Sequence, residues 1–324
     1  MPKAIRIHEN GGPEVMKWEE IAVGDPGPGQ ARVRHHAAGL NFIDCYQRSG
    51  LYKLPLPLTL GMEGAGVVEA LGAGVSEVKS GDRVAYAAPP PGSYSEVRLA
   101  TADRLVKLPD GISFETAAAM MLKGMTVEYL IMRTFKVQPG MTVLWHAAAG
   151  GVGLIACQWL RSLGVTVIGT VGSEAKAALA KAHGCHHTIN YSKENFVERV
   201  KEITGGKGVP VVYDSVGKDT FAGSLDCLAP LGMFVSFGNA SGAVPPFEPA
   251  ILSAKGSLYY TRPTLMTYNA KREDLVMSAG RLFEVVLSGK VKIEIEQRYP
   301  IKDAAQAHRD LEARKTTGST VLVP

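Results

Sequence analysis

Apolar residues recur in two different patterns along this chain. Up to about Val106 they fall in short alternating runs, such as Ala31-Arg-Val-Arg-His-His-Ala-Ala-Gly39 and Gly64-Ala-Gly-Val-Val-Glu-Ala-Leu-Gly72, divided by Pro/Gly clusters that include Gly24-Asp-Pro-Gly-Pro-Gly29. Period-two alternation broken by turn formers predicts the strands of a β-rich, barrel-like domain. Residues 113–135 read as a helix, with Ser113 or Thr116 at its start. Beyond it the texture changes: apolar strands beginning at Met141 and at 165–171, 188–189, 209–213, 232–237 and 257–261 alternate with helix-like segments. That alternation predicts a parallel, doubly wound sheet. Residues 274–287 and 301–315 then read as amphipathic helices, and 319–323 as a strand that returns to the first domain and makes it discontinuous.

The strand from Met141 runs through His146 into Ala147-Ala-Ala-Gly-Gly-Val-Gly153 and out into an apolar helix. Ala147, Gly150 and Gly153 stand at the three spacings of the dinucleotide fingerprint, where small residues permit the tight turn, the approach of backbone to pyrophosphate and close helix-to-strand packing. The helix starts near Gly151 with unsatisfied N–H groups that favour a phosphate, and it ends at Gly164, a C′ residue. Any tight strand-to-helix turn can require such residues. Here the run 165–171 completes strand, helix and parallel strand, so turn and alternation together predict a Rossmann-type domain.

An enzyme specific for NAD places a carboxylate at the end of the second strand to hold the ribose 2′-OH. This chain has Gly172-Ser173 there, so nothing repels a 2′-phosphate. Ser173 can cap the next helix and offer a hydroxyl, and Lys176 can supply a positive charge one turn on. The reading is NADPH, with Glu174, one residue further, as the counter-signal and a plain N-cap with a solvated lysine as the alternative.

The remaining composition narrows the picture. A length of 324 residues favours two domains, and the net charge of +4 is spread without any block of Lys or Arg, which speaks against a nucleic-acid tail or a membrane-surface patch. Cys45, Cys157, Cys185 and Cys227 are widely separated and form no CxxC pair, which fits a reducing, cytoplasmic compartment. The first residues, Met-Pro-Lys-Ala-Ile-Arg-Ile-His, lack the apolar core of a secretory signal. The apolar run 141–160 reads as a buried strand and helix, because glycines and His146 interrupt it, rather than as a membrane span.

Several stretches carry a resemblance to a known family: Gly11-Gly-Pro-Glu-Val15, Gly39-Leu-Asn-Phe-Ile-Asp44, Arg48-Ser-Gly-Leu-Tyr52, Gly61-Met-Glu-Gly-Ala-Gly66, Gly81-Asp-Arg-Val84, Leu122-Lys-Gly-Met-Thr126, His146 to Gly153, Tyr213-Asp-Ser-Val-Gly217 and Ser236-Phe-Gly-Asn239. Through them the chain resembles a zinc-free medium-chain dehydrogenase/reductase, more narrowly the bacterial NADPH:quinone oxidoreductases related to zeta-crystallin. The resemblance implies an α/β fold, a Rossmann doubly wound parallel sheet plus a β-rich GroES-like barrel domain. The limits expected are 1–122 and 264–324 for the GroES-like domain and 123–263 for the NADPH-binding domain. It also implies reduction of a quinone by hydride transfer in a cleft between the domains. Asn41, Tyr46, Tyr52 and Lys123 are the implied catalytic candidates, with Asn41 orienting nicotinamide or substrate. Packing explains the tyrosines equally well, a solvated helix residue explains Lys123, and water can protonate a hydroquinone anion without any protein donor.

The implied cofactor shell comprises Asn41, Lys123, Thr126, Gly150, Gly151, Val152, Gly172, Ser173, Lys176, Tyr191, Ser215, Phe237, Gly238, Asn239, Arg262, Pro263 and Arg314. Tyr191 can be core instead, and Arg314 a helix C-terminal charge. No metal is expected: Met62 stands where zinc-dependent members carry histidine, and neighbours in a strand such as His35-His36 face opposite ways and cannot chelate together. Reduction of an electron-poor acceptor needs no Lewis acid. Reduction of the C=C bond of an enone or alkenal would use the same cofactor site. A nonenzymatic structural or RNA-binding role is the rival from another class, and the scattered charge disfavours it. The resemblance further implies a homodimer through the edges of the Rossmann sheets, where Leu258-Tyr-Tyr260 would be unusually apolar for an exposed edge.

Overall fold

The computed structural model describes residues 1–324 and divides into two compact units, Met1–Met125 with Asn269–Leu287 and Ile293–Pro324, and Thr126–Tyr268 with Ser288–Lys292. In the first unit the chain forms β1 (Lys3–Ile7), β2 (Lys17–Glu20), β3 (Gln30–Leu40), α1 (Phe42–Ser49), β4 (Leu58–Thr59), β5 (Glu63–Leu71), β6 (Arg83–Ala87), β7 (Val97–Thr101) and β8 (Val106–Lys107). The long strand β3 shows the expected alternation through His36 and is then buried on both faces to Leu40. His35 is inside and His36 is exposed, stacked on Phe114. Tight strand packing explains a glycine in β5, since a side chain at Gly66 would meet the Arg34 carbonyl oxygen at 1.9 Å. Helix α1 opens with a capping box between Asn41 and Asp44 and closes on Gly50 in the left-handed region.

Helix α2 (Phe114–Tyr129) starts where the Ser113 hydroxyl accepts from the Thr116 amide. It ends in a π-helical turn over Leu130–Thr134. The second unit then lays down β9 (Thr142–Trp145), α3 (Gly151–Ser162), β10 (Thr166–Val171), α4 (Glu174–Ala182), β11 (His187–Asn190), α5 (Phe196–Ile203), β12 (Val209–Asp214), α6 (Phe221–Asp226), β13 (Leu228–Ser236), α7 (Ala250–Ala254), β14 (Tyr259–Thr261) and α8 (Leu265–Tyr268). Its six strands are parallel, in the order β11-β10-β9-β12-β13-β14. This is the doubly wound order in which the loops after the first and fourth strands, here β9 and β12, flank the point where winding reverses. Helices on both faces explain why β9, β10 and β12 are almost wholly buried. Leu144, Ile168, Ile189, Val212 and Phe234 form the centre of this unit's core.

The chain returns to the first unit through α9 (Arg272–Leu287), β15 (Ile295–Pro300), α10 (Ala304–Glu312) and β16 (Ser319–Val323). Strand β16 pairs with β3 and completes a sheet ordered β15-β16-β3-β5-β6-β8, with β7 also on β3; β2-β1-β4 form a second sheet.

The unit limits differ from the expected 122/123 and 263/264. The first join falls inside α2 after Met125 and the second after Tyr268. Lys123 keeps its turn with the first unit by pairing with Glu63, whereas Tyr268 stacks on Tyr129 within the second. No composition shift marks the first place, because the boundary cuts a continuous apolar helix; the second falls between α8 and α9.

Candidate functional site

In the second unit, β9 delivers the chain into the glycine-rich loop. Ala147 takes φ 56°, a left-handed turn in which a small side chain costs least. Gly150 caps α3 without any side-chain hydrogen bond, so the first-turn amides of Gly151, Val152 and Gly153 have no acceptor further back in the helix. A side chain at Gly153 would meet the Ala147 carbonyl oxygen at 2.4 Å and Ala148 Cα at 2.7 Å, whereas one at Gly150 meets nothing nearer than 3.3 Å. Gly153 therefore serves packing, and Gly150 leaves its space open above the helix N-terminus. The cradle suits a phosphate group.

Ser173 is the N-cap of α4, its hydroxyl accepting from the Lys176 amide at 3.3 Å. Lys176 is half-buried, and the Tyr191 hydroxyl lies over Gly172, 2.6 Å from where a side chain would start. Glu174 is drawn aside: its carboxylate accepts from Asn190 Nδ2 at 2.8 Å and Lys193 Nζ at 3.1 Å, and these partners hold its pKa below the ordinary carboxylate range. The counter-signal to NADPH is thus occupied by protein donors. After β12 and β13, Ser215 and Gly238 touch so closely that a side chain at Gly238 would lie 2.5 Å from the Ser215 carbonyl oxygen. The Phe237 ring packs on Trp145, Asn239 follows Gly238, and Arg262 donates to the Ser236 carbonyl at 3.1 Å, just before buried Pro263. Thr126 is buried on α2.

The first unit holds a separate polar centre. Glu63, wholly buried at the start of β5, accepts from the Leu122 amide at 2.8 Å, Asn41 Nδ2 at 2.8 Å and Lys123 Nζ at 3.3 Å. Asn41 spends its other amide hydrogen on the Gly39 carbonyl at 3.4 Å. The approach depends on Gly39, where a side chain would meet the Ala118 carbonyl at 2.0 Å and Glu63 Oε2 at 2.3 Å. Lys123 is 5% exposed, so it is no solvated helix residue. An ammonium carries three donors, and Glu63 is the one acceptor Lys123 has in the protein. Two N–H groups are left for a ligand.

A further layer braces α1. Asp44 accepts from the Asn41 amide (2.9 Å), the Tyr94 hydroxyl (2.9 Å) and the Met62 amide (3.1 Å). Burial pushes its carboxyl up to about 7, against the pull of those donors toward the carboxylate. His308 Nδ1 faces Arg48 Nη1 at 3.0 Å and Cys45 Sγ at 3.4 Å. Arginine can only donate, so Nδ1 is the acceptor and Nε2–H donates to the Tyr94 hydroxyl at 3.3 Å. Arg48 continues to Glu312 at 2.7 Å. Tyr46 and Tyr52 pack edge to face, ring centres 5.2 Å apart, both half-buried. Arg314 sits just past α10 with φ 59°, at the helix C-terminal end.

Sequence reasoning named Asn41 and Lys123 but passed over Glu63, which joins them, and Asp44, Tyr94 and His308 behind it. The available signals were a carboxylate among small residues in Gly61-Met-Glu-Gly-Ala-Gly66 and the N-cap spacing of Asn41 and Asp44. No group of three or more His, Cys, Asp or Glu side chains is arranged to hold a metal ion. Met62 is buried, and burial drives the Cys45 thiol far above its ordinary range.

Comparison with known proteins extends the geometry over the whole chain. Residues 27–110 match the alcohol dehydrogenase GroES-like domain, and residues 151–273 the family described as zinc-binding dehydrogenase. A quinone oxidoreductase of Pseudomonas aeruginosa is 56% identical over 325 residues, covering 100% of each chain. A 2-haloacrylate reductase of a Burkholderia species is 48% identical, covering 100% of this chain and 99% of that one. The crystal structure of Escherichia coli quinone oxidoreductase complexed with NADPH superposes with a TM-score of 0.98 at 51% identity, covering 99% of this chain and 100% of that one.

Proposed function

The chain belongs to the quinone oxidoreductases, zinc-free members of the medium-chain dehydrogenase/reductase superfamily, and from that premise we propose that it reduces quinones at the expense of NADPH. The observation that carries the chemistry is Lys123: a buried ammonium with two unspent donors, fixed beside Asn41 by one carboxylate.

NADPH, when bound, supplies the hydride that reduces the quinone ring. The first-turn amides of Gly151 and Val152, with Gly150 keeping the approach clear, hold its pyrophosphate. Gly172, Ser173, Lys176 and Tyr191 surround its 2′-phosphate, an assignment supported by the engagement of Glu174 with Asn190 and Lys193. Thr126, Ser215, Phe237, Gly238, Asn239, Arg262 and Pro263, all of the second unit, complete the proposed shell. As negative charge develops on a quinone oxygen, Lys123 donates to it, and the fixed ion pair means little reorganisation is needed at that moment. Asn41 turns its amide hydrogens inward to Glu63 and Gly39 and caps α1 with its side-chain oxygen, so it orients through that oxygen's second lone pair. Tyr46 and Tyr52 offer an aromatic wall for a planar substrate.

The 2-haloacrylate reductase favours a second reading, hydride delivery to an activated C=C bond. NADPH oxidation measured in parallel with 1,4-benzoquinone and an enone separates them. Faster turnover of the quinone, with a lower KM for NADPH than for NADH, is the expected result; faster enone turnover moves the reaction to alkenes, and no turnover of either despite NADPH binding overturns both. No helix is long and apolar enough to cross a membrane, and the four buried free thiols support a reducing compartment, the cytoplasm.

Strand β14 pairs with β13 alone and presents Tyr259, 58% exposed, which supports a homodimer through paired sheet edges. Sedimentation as a monomer at all concentrations would remove that assembly.

A further inference from the structure

Beneath the phosphate cradle lies a chain of polar side chains that the proposed reaction does not use. His146 follows β9 at the start of the glycine-rich turn, Thr170 lies on β10 two residues before Gly172, Asp214 ends β12 just before Ser215, and Ser224 lies on α6. None is more than 1% exposed.

Their hydrogen bonds run in one direction. Asp214 Oδ1 accepts from the amides of Val216 at 2.7 Å and Gly217 at 2.9 Å; Oδ2 accepts from the hydroxyls of Thr220 at 2.7 Å and Ser224 at 3.3 Å. Because Ser224 gives its proton to Asp214, it must accept from His146 Nε2–H, at 2.9 Å. Nδ1 is then the lone pair that accepts from the Thr170 hydroxyl, also at 2.9 Å. The imidazole is neutral in this arrangement, and its burial, which lowers the basicity of His146, keeps it so. The Phe196 ring closes the remaining side edge-on.

We propose that His146 is a positioning residue for the cofactor: through Thr170, Ser224 and Asp214 it locks together the loops that follow β9, β10 and β12, so that NADPH affinity depends on a side chain no ligand can reach. The inference rests on the reading that those loops hold NADPH. A side chain that only fills the core would affect stability alone; one that sets the spacing of three loops affects how well a preformed cradle meets its ligand.

The test uses the full chain and two mild variants that keep the histidine, Thr170→Val and Ser224→Ala, with the Thr170→Val/Ser224→Ala double variant. NADPH dissociation constants are read by fluorescence titration well below each variant's melting temperature, alongside kcat and KM with benzoquinone. Each single variant is expected to weaken NADPH binding about tenfold, with KM for NADPH rising by more than kcat falls. The double variant is expected to lose less than the product of the two single losses, because both act through one imidazole. Folded single variants that bind NADPH within about twofold of the parent while melting earlier would reduce His146 to a core residue and overturn the inference. Failure of the parent chain to bind NADPH would overturn the cofactor reading itself, and this inference with it.

Discussion

Lys123 and Glu63 make each other tolerable: each is a charge taken out of water, and removing either partner leaves the other uncompensated. Chemistry and stability can therefore be separated in one small set of variants. Lys123→Met is expected to lower kcat for quinone reduction about a hundredfold, as loss of one donor to a developing oxyanion does, and to destabilise the fold by about 3–5 kcal/mol through the stranded carboxylate. Adding Glu63→Gln should restore part of the stability, since it removes the stranded charge and its amide oxygen can still accept from Asn41 while the Leu122 amide loses its acceptor, but none of the rate. A Lys123→Met/Glu63→Gln enzyme with parental kcat would show that water alone protonates the product. Asn41 and Lys123 stood out in the sequence only as candidates, through the family resemblance of the motifs around them. Glu63 did not, because a single carboxylate in a strand reads as a solvated charge until α2, some sixty positions later, closes over it. His308 was hidden for the same reason: its partners Cys45 and Arg48 lie more than 250 residues earlier in the chain.

The glycine-rich element divides its labour between residues three positions apart. Gly153→Ala forces a methyl against the Ala147 carbonyl and Ala148 Cα, so the folded chain should lose about 1–3 kcal/mol before any ligand is added. Gly150 has φ −79°, acceptable to alanine, and no neighbour closer than 3.3 Å. Gly150→Ala should leave the melting temperature almost unchanged and still weaken NADPH binding, because the methyl occupies the approach of the pyrophosphate. Thermal melts and NADPH titrations on the two variants check this directly, and a Gly150→Ala chain that binds NADPH as well as the parent would remove that residue from the cradle. The turn and the alternation of strand and helix were readable because both are local patterns. The two-residue strands β4 and β8 and the π-helical turn after α2 were not, being too short to show a period and held by contacts from distant segments. Sheet order was likewise out of reach beyond the strand, helix and strand of the first crossover.

At the scale of the molecule, the return of β16 to β3 was visible as a late strand, whereas the join between units was invisible because α2 stays apolar across it. Burial on this scale also fixes how the whole chain responds to acid. His35 and His308 are each pushed down to about 3 by burial, so below pH 6.5 the unfolded chain takes up protons that the folded chain refuses. Stability must then fall as pH drops, by about 1.4 kcal/mol per unit for each such histidine. His146, lowered for the same reason, acts in the same direction. Asp44 acts oppositely: its carboxyl, raised to about 7 from 3.8, binds a proton in the folded chain first, and between those values falling pH stabilises the fold through it. One carboxyl offsets one histidine, and the net effect between pH 6.5 and 4.5 is a loss of stability on acidification. His308→Gln removes one of the opposing protons while an amide can still donate to Tyr94. Unfolding free energies from urea melts across that range should therefore fall less steeply for His308→Gln than for the parent, by about 1.4 kcal/mol per pH unit. Parallel slopes would mean that His308 is already protonated in the folded chain, and with it that Arg48 does not donate to Nδ1.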